Sequence, residues 1–184
     1  MAKAGQRVIL SKDQLSITIE RLCQQLVENH HNFSNTVLLG LQPRGIYFSK
    51  RIYDRLISLI KDDKPEYGLL DASFHRDDFR RSEKIIKPSE TDIDFTVENK
   101  TVVLIDDVLY TGRTIRAAID ALMHMGRPHK VELMVLIDRR FSRDLPIQAD
   151  YIGKQIDSIN SEKVKVNWEE KAGKTEIILL QGKN

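Results

Sequence analysis

The sequence predicts an α/β fold, a central and mostly parallel sheet flanked by helices. Three observations carry that expectation. Short apolar runs recur along the chain at residues 36–41, 102–105 and 131–137, as strands buried on both faces do. Stretches with helical apolar spacing alternate with them. The loops that carry glycine, hydroxyls and charge follow the strands, which puts them at the carboxyl ends, where such sheets bind ligands.

In chain order, residues 8–10 read as a short strand. Ser11 with Gln14 makes a capping-box start, and Leu15, Ile19, Leu22, Cys23 and Leu26 carry a helix to about Asn29. The run at residues 36–41 is a buried strand, broken by Gln42-Pro43-Arg44-Gly45. A helix follows with Ile46, Tyr53, Ile57 and Ile60 on one face, ending near residues 62–65. Residues 67–74 read as a strand, and a polar, charged stretch occupies residues 75–95. After the strand at residues 102–105, Ile115, Ala118, Ile119 and Leu122 fall at i, i+3, i+4 and i+7. That helix is stopped by Gly126 and Pro128. Residues 131–137 form another buried strand, and shorter strand-like pieces lie near Tyr151 and at residues 164–168 and 176–180.

At 184 residues the chain is one domain of ordinary size, long enough to bury a core. Its net charge of +2 with 30% charged residues gives no overall basic character that would announce nucleic acid. The single cysteine, Cys23, excludes an internal disulfide and a cysteine-cluster metal site. His30, His31, His124 and His129 show no metal-ligand grouping and read as surface or packing residues. No apolar run of about 18 residues and no signal-peptide pattern is present, so a soluble, cytoplasmic protein is expected.

Chemistry concentrates at residues 102–114, V-V-L-I-D-D-V-L-Y-T-G-R-T. A strand leads to two adjacent acids, Asp106 and Asp107, then to a small-residue turn and a helix start. Thr111, Gly112, Arg113 and Thr114 can turn backbone N–H groups toward an anion, and the helix start adds its positive dipole end. Carboxylates do not bind phosphate, so the two aspartates serve ribose hydroxyls or a Mg²⁺ shell shared with a diphosphate. A G-x-x-x-x-G-K-[ST] loop is absent, which argues against a P-loop nucleotidase.

This segment matches, position by position, the phosphoribosyl-diphosphate (PRPP) signature of the type I phosphoribosyltransferases. With G-L-Q-P-R-G-I-Y, F-H-R-D-D, M-G-R-P, V-L-I-D-R-R and A-D-Y-I-G-K, nearly the whole chain resembles the PyrR family. These are uracil phosphoribosyltransferases that double as pyrimidine-operon attenuation proteins. The resemblance implies a type I phosphoribosyltransferase fold with a small base-binding hood from the terminal segments. It implies the reaction of uracil and PRPP to UMP and diphosphate, with Mg²⁺ carried by substrate phosphates and water rather than by protein ligands. It implies a homodimer or larger assembly and, in regulatory members, a UMP-dependent hold on an mRNA hairpin.

Carried onto this chain, the resemblance makes Asp106 and Asp107 catalytic, and Tyr110, Thr111, Gly112, Arg113 and Thr114 the PRPP loop. Arg44 is the candidate diphosphate contact. Residues 75–95 match the family's mobile lid, with Arg76 the first candidate to act on the leaving group, Arg80 the second and a phosphate contact, and Asp77 and Asp78 orienting the lid or a water shell. A lid would keep water from an oxocarbenium-like transition state. Ile137, Asp138 and Arg139 are expected to offer groups to uracil, and Tyr110 either flanks the sugar or base or packs in the loop. Two other readings stay open: a UMP- or PRPP-sensing RNA attenuator with weak catalysis, and a transferase for another nucleobase.

The RNA face departs from the family pattern. Where relatives carry Thr, His and Arg on the first helix, this chain has Glu20, Gln24 and Asn29, and Gln148 replaces an expected arginine. The loop after Asp138 is one residue longer than expected. Arg143 and Lys154 remain of the basic set and are the RNA-binding candidates. Lost phosphate contacts and an added acid weaken RNA binding, so catalysis is expected intact and attenuator-type binding weak or absent.

Overall fold

The computed structural model describes residues 6–75, 91–159 and 161–181. Arg76, Asp77, Asp78, Arg80 and most of the expected lid lie outside the described residues. The elements are β1 (Gln6–Leu10), α1 (Lys12–His30), β2 (Thr36–Leu41), α2 (Ile46–Leu59) and β3 (Glu66–Leu70). A 3₁₀ turn (Ser73–His75) precedes β4 (Thr101–Leu109), α3 (Arg113–Met125), β5 (Lys130–Arg140) and β6 (Tyr151–Asp157). The chain closes with β7 (Lys163–Asn167), α4 (Glu169–Ala172) and β8 (Glu176–Leu180).

Five strands form a parallel sheet in the order β3-β2-β4-β5-β6. The two inner neighbours β2 and β4 are the point from which the strand order runs outward in opposite directions. A parallel sheet opens a ligand crevice there, at the carboxyl ends. The terminal strands do not join this sheet. They make a separate antiparallel sheet, β1-β8-β7, in agreement with a hood built from the chain ends.

Side chains alternate across the parallel sheet as its pleat requires. Leu38, Val103, Ile105, Met134 and Leu136 face α1, α2 and the small sheet, packing with Leu22, Leu26, Phe48, Ile52 and Ile177. Val37, Leu39, Val102, Leu104 and Val135 face α3, against Ile115, Ala118 and Leu122. Cys23 is fully buried on α1, as its spacing predicts, and burial pushes its thiol up to about 12.

Helix α1 begins as expected: Ser11 caps the Gln14 N–H and the Gln14 side chain returns to the Ser11 N–H. Three expectations need correction. The buried face of α2 is Phe48, Ser49, Ile52 and Leu56, while Ile46, Tyr53, Ile57 and Ile60 are only half-buried, because α2 rests on the sheet one residue out of phase with the predicted face. The strand predicted at residues 67–74 ends at Leu70, since the Asp71 carboxylate accepts the Ser73 N–H at 2.7 Å and turns the chain. The central strand is longer than its apolar run and carries through both acids to Leu109.

At the opposite end of the sheet a buried polar cluster ties α1 to β5 and β6. Glu132, 6% exposed, accepts from Tyr151 at 2.9 Å and Lys130 at 2.6 Å and lies 3.0 Å from His30 Nε2. His30, expected to be a surface or packing residue, therefore packs through a specific polar contact. Burial pushes the Glu132 carboxyl up, but these partners outweigh it and hold it below the ordinary glutamate value. Glu132→Ala should cost about 1–3 kcal/mol, the penalty for leaving buried partners unpaired, read as a lower melting temperature. Because the folded value is depressed, the Glu132 contribution is complete above about pH 4.3, the ordinary glutamate value. It is lost as pH falls through the folded value, so the gap to wild type should narrow on acidification.

Candidate functional site

Three segments meet at the carboxyl ends of β2, β4 and β5. The first is the turn after β2. Gln42 N–H donates to the Leu70 carbonyl at 3.0 Å and Gly45 N–H to the Leu41 carbonyl at 2.8 Å, and the Gln42–Pro43 peptide is cis. The turn lies hard against β4. A Cβ on Gly45 would come within 2.7 Å of the Ile105 carbonyl and 3.2 Å of Asp106 Cα. That close approach brings Arg44 alongside the two acids.

Asp106 and Asp107 are 6% and 7% exposed, inside β4 rather than on an open strand end. The Asp106 carboxylate accepts the Asp107 N–H at 2.8 Å. Burial drives the Asp106 carboxyl well above the ordinary carboxylate range, and the Asp107 charge adds to it. Burial raises Asp107 too, with the Arg44 charge pulling it back. A buried acidic pair with one guanidinium beside it invites a cationic or hydroxyl-rich ligand.

The second segment is the turn into α3. Gly112 takes a left-handed φ of 91° as the residue before the helix, with no side-chain cap, a conformation glycine adopts without penalty. The Thr111 carbonyl accepts from the Asp144 and Leu145 N–H groups at 3.0 and 3.2 Å. Arg113 pairs with Asp144 at 3.0 Å, and Thr114 opens the helix beside it. Tyr110 is 36% exposed, and its ring stacks on the Arg139 guanidinium 4.0 Å from its centroid.

The third segment is the end of β5. Ile137, Asp138 and Arg139 lie within the strand, paired to β6 and continuous with β4. Ile137 is fully buried. The Asp138 carboxylate accepts from Gln155 at 3.1 Å and from Arg143. Arg139, 4% exposed, donates to Ser158 Oγ at 2.8 Å and to the Ile159 and Glu162 carbonyls at 3.1 Å. Close by, Phe141, Asp157, Ser158, Ile159 and Glu162 line a recess of about 430 Å³.

The RNA candidates do not stand free. Lys154 donates to the Ile9 carbonyl at 3.0 Å, joining β6 to β1. The Arg143 guanidinium, an RNA-binding candidate from the sequence, donates to backbone carbonyls and to Asp138. Glu20 pairs with Arg55 on α2, and Asn29 donates to Tyr151 at 3.2 Å. Sequence reasoning missed the Arg139–Tyr110 stack and the strap at residues 143–147. Neither has a local pattern, because the partners are distant along the chain.

Comparison with known proteins decides the family. Residues 6–171 match the phosphoribosyl transferase domain model. The protein named "Bifunctional protein pyrR" from Enterococcus faecalis is 43% identical over 164 residues, 89% of this chain and 90% of its own length. Its namesake from Actinobacillus pleuropneumoniae is 38% identical over 181 residues, 97% and 99% of the two chains. The chain belongs to the PyrR family of phosphoribosyltransferases. Among solved structures, the hypoxanthine phosphoribosyltransferase of Staphylococcus aureus superposes with a TM-score of 0.70 at 22% identity, covering 95% of this chain and 90% of that one. A Trypanosoma cruzi counterpart gives 0.73 at 14% identity, covering 98% and 94%. At those identities the likeness is one of fold. No helix among the described residues of this phosphoribosyltransferase is long and apolar enough to cross a membrane.

Proposed function

We propose that this PyrR-family enzyme is a uracil phosphoribosyltransferase, converting uracil and PRPP to UMP and diphosphate. The observation that carries the reading is the buried Asp106–Asp107 pair, set between the Arg44 turn and the Gly112 helix start. The 5′-phosphate of PRPP would rest on the N–H groups from Thr111 to Thr114. Asp106 and Asp107 would accept the ribose hydroxyls and counter positive charge building at C1′ as diphosphate departs. Arg44 would hold the diphosphate.

The donor set fits Mg²⁺. Burial disfavours the charged form of both acids, and a hard cation held by diphosphate oxygens and water beside Asp106 and Asp107 would join Arg44 in favouring their ionised form. Bound there, it supplies charge neutralisation for the leaving group. Uracil would lie at the end of β5, against the backbone of Ile137, Asp138 and Arg139. The exposed Ile159 on the recess wall would offer an apolar surface to a flat base.

Steady-state formation of UMP from uracil, PRPP and Mg²⁺ tests the assignment. Turnover on uracil is expected; no product from uracil, with turnover of a purine or orotate, would overturn it. The regulatory role named for the family would operate in a homodimer or larger assembly. With Arg143 and Lys154 engaged internally and Glu20 and Gln24 on α1, hairpin binding with UMP should be weak. A titration at about 0.15 M salt, near the physiological screening length, should give no better than about 10⁻⁶ M affinity, the tight end of non-specific binding. Tight, UMP-dependent binding of an attenuator hairpin would contradict this.

A further inference from the structure

One side chain joins the sugar-phosphate side of the site to the base side. Arg143 lies in the loop after β5. Its Nη1 donates to the carbonyls of Leu109, at 3.2 Å, of Tyr110, and of Arg139, at 3.1 Å. Its Nε donates to the Ile147 carbonyl at 3.1 Å, and its Nη2 to the Asp138 carboxylate. Leu109 and Tyr110 lead into the PRPP turn, whereas Asp138 and Arg139 end the strand at which the base is placed.

The residues that follow continue the connection. Asp144 and Leu145 donate backbone N–H groups to the Thr111 carbonyl, and the Asp144 carboxylate accepts from Arg113 Nε. Ile147 packs over Gly112, where an added Cβ would stand 3.2 Å from its Cδ1. The strap at residues 143–147 therefore touches the turn from Tyr110 to Arg113. On the other side, Asp138 is shared between Arg143 and Gln155. Arg139 stacks on Tyr110 while holding Ser158 and the Ile159 carbonyl.

We propose that Arg143 is a positioning residue of the transferase site, fixing the PRPP turn relative to the base-side end of β5 so that C1′ of the donor and the attacking ring nitrogen are held in register. The inference rests on the uracil phosphoribosyltransferase reading and adds to it a residue that touches neither substrate. Arginine suits the task because its planar guanidinium presents five donors in a fixed fork, enough for carbonyls from three segments and a carboxylate together. A lysine supplies a point charge and cannot span them. Transfer between two bound reactants depends on their alignment, and displacement by about 1 Å costs roughly 10²-fold in rate.

The test compares Arg143→Lys and Arg143→Ala with wild type, reading kcat and KM for PRPP and uracil together with melting temperature. Arg143→Lys should lower kcat about 10²-fold while the protein still melts cooperatively. Methylguanidinium added to Arg143→Ala should restore part of that loss. Lys50→Met serves as the control, since Lys50 is exposed on α2 and its carboxylate partner is Asp54; its kinetics should stay at the wild-type level. Wild-type kcat and KM in both Arg143 variants, with only the melting temperature lowered, would overturn the proposal. So would unchanged turnover accompanied by lost RNA affinity. If wild type itself fails to use uracil, the functional reading fails separately, and PRPP affinity measured by calorimetry decides the role of Arg143. Weaker binding in Arg143→Lys supports the positioning role, and equal binding refutes it.

Discussion

Asp106→Asn and Asp107→Asn should each lower kcat/KM for PRPP by about 10²–10³-fold, the range for losing one preorganised electrostatic contact in a dry site. Both acids are more than nine-tenths buried at the carboxyl end of β4, and asparagine preserves their shape and one acceptor oxygen. The hydrogen bond from the Asp107 N–H to the position-106 side chain survives in Asp106→Asn. What disappears is the charge that the proposed reaction sets against the ribose and the developing cation. The same variant should melt at a higher temperature than wild type. The folded-state value of Asp106 is raised, so the ionised group opposes folding. That opposition begins as pH rises past about 3.9, the ordinary aspartate value, and is complete once pH exceeds the folded value. The stabilisation of Asp106→Asn should therefore be present at neutral pH and vanish below about pH 3.9. Unchanged kcat/KM, or a melting temperature lowered at neutral pH, would count against the assigned role.

Gly45→Ala should be nearly as damaging, although the residue carries no chemistry. A methyl group there would stand 2.7 Å from two carbonyl oxygens, those of Leu41 and Ile105, and 3.2 Å from Asp106 Cα. All three are backbone atoms, so no side chain can swing away. The turn must lift from β4, taking Arg44 with it. Overpacking of this kind costs about 1–3 kcal/mol, and misplacing Arg44 by about 1 Å should cost roughly 10²-fold in kcat/KM. Kinetics and thermal melting on the one variant read both effects. Wild-type values for both would show that the turn has room the structure does not display.

The most legible parts of this fold are those whose cause is local. The capping box at Ser11 and Gln14 fixes the start of α1, and the apolar run before Asp106 marks the central strand. The turn into α3 is legible because a glycine just before an amphipathic run is a local signal, and Gly112 does stand immediately before the helix. Parts that depend on distant partners were not. The half-buried face predicted for α2 missed Phe48, Ile52 and Leu56, whose burial is decided by the sheet beneath them. The extension of β4 through Asp106 and Asp107 runs against the expectation that charged residues end a buried strand, and the exception falls at the site. His30, Glu132 and Tyr151 come from three elements. The role of Arg143 likewise appears only when Leu109 and Tyr110, from the end of β4, are brought beside it.

Uracil against hypoxanthine is the deciding comparison of bases, because the solved structures of similar fold named above are hypoxanthine enzymes. The measurement is kcat/KM for uracil against hypoxanthine at saturating PRPP and Mg²⁺. A site built to hydrogen-bond one base edge rejects a mismatched one by about 10⁴-fold or more, so a strong preference for uracil is expected. Equal use of the two bases, or a preference for hypoxanthine, would contradict it.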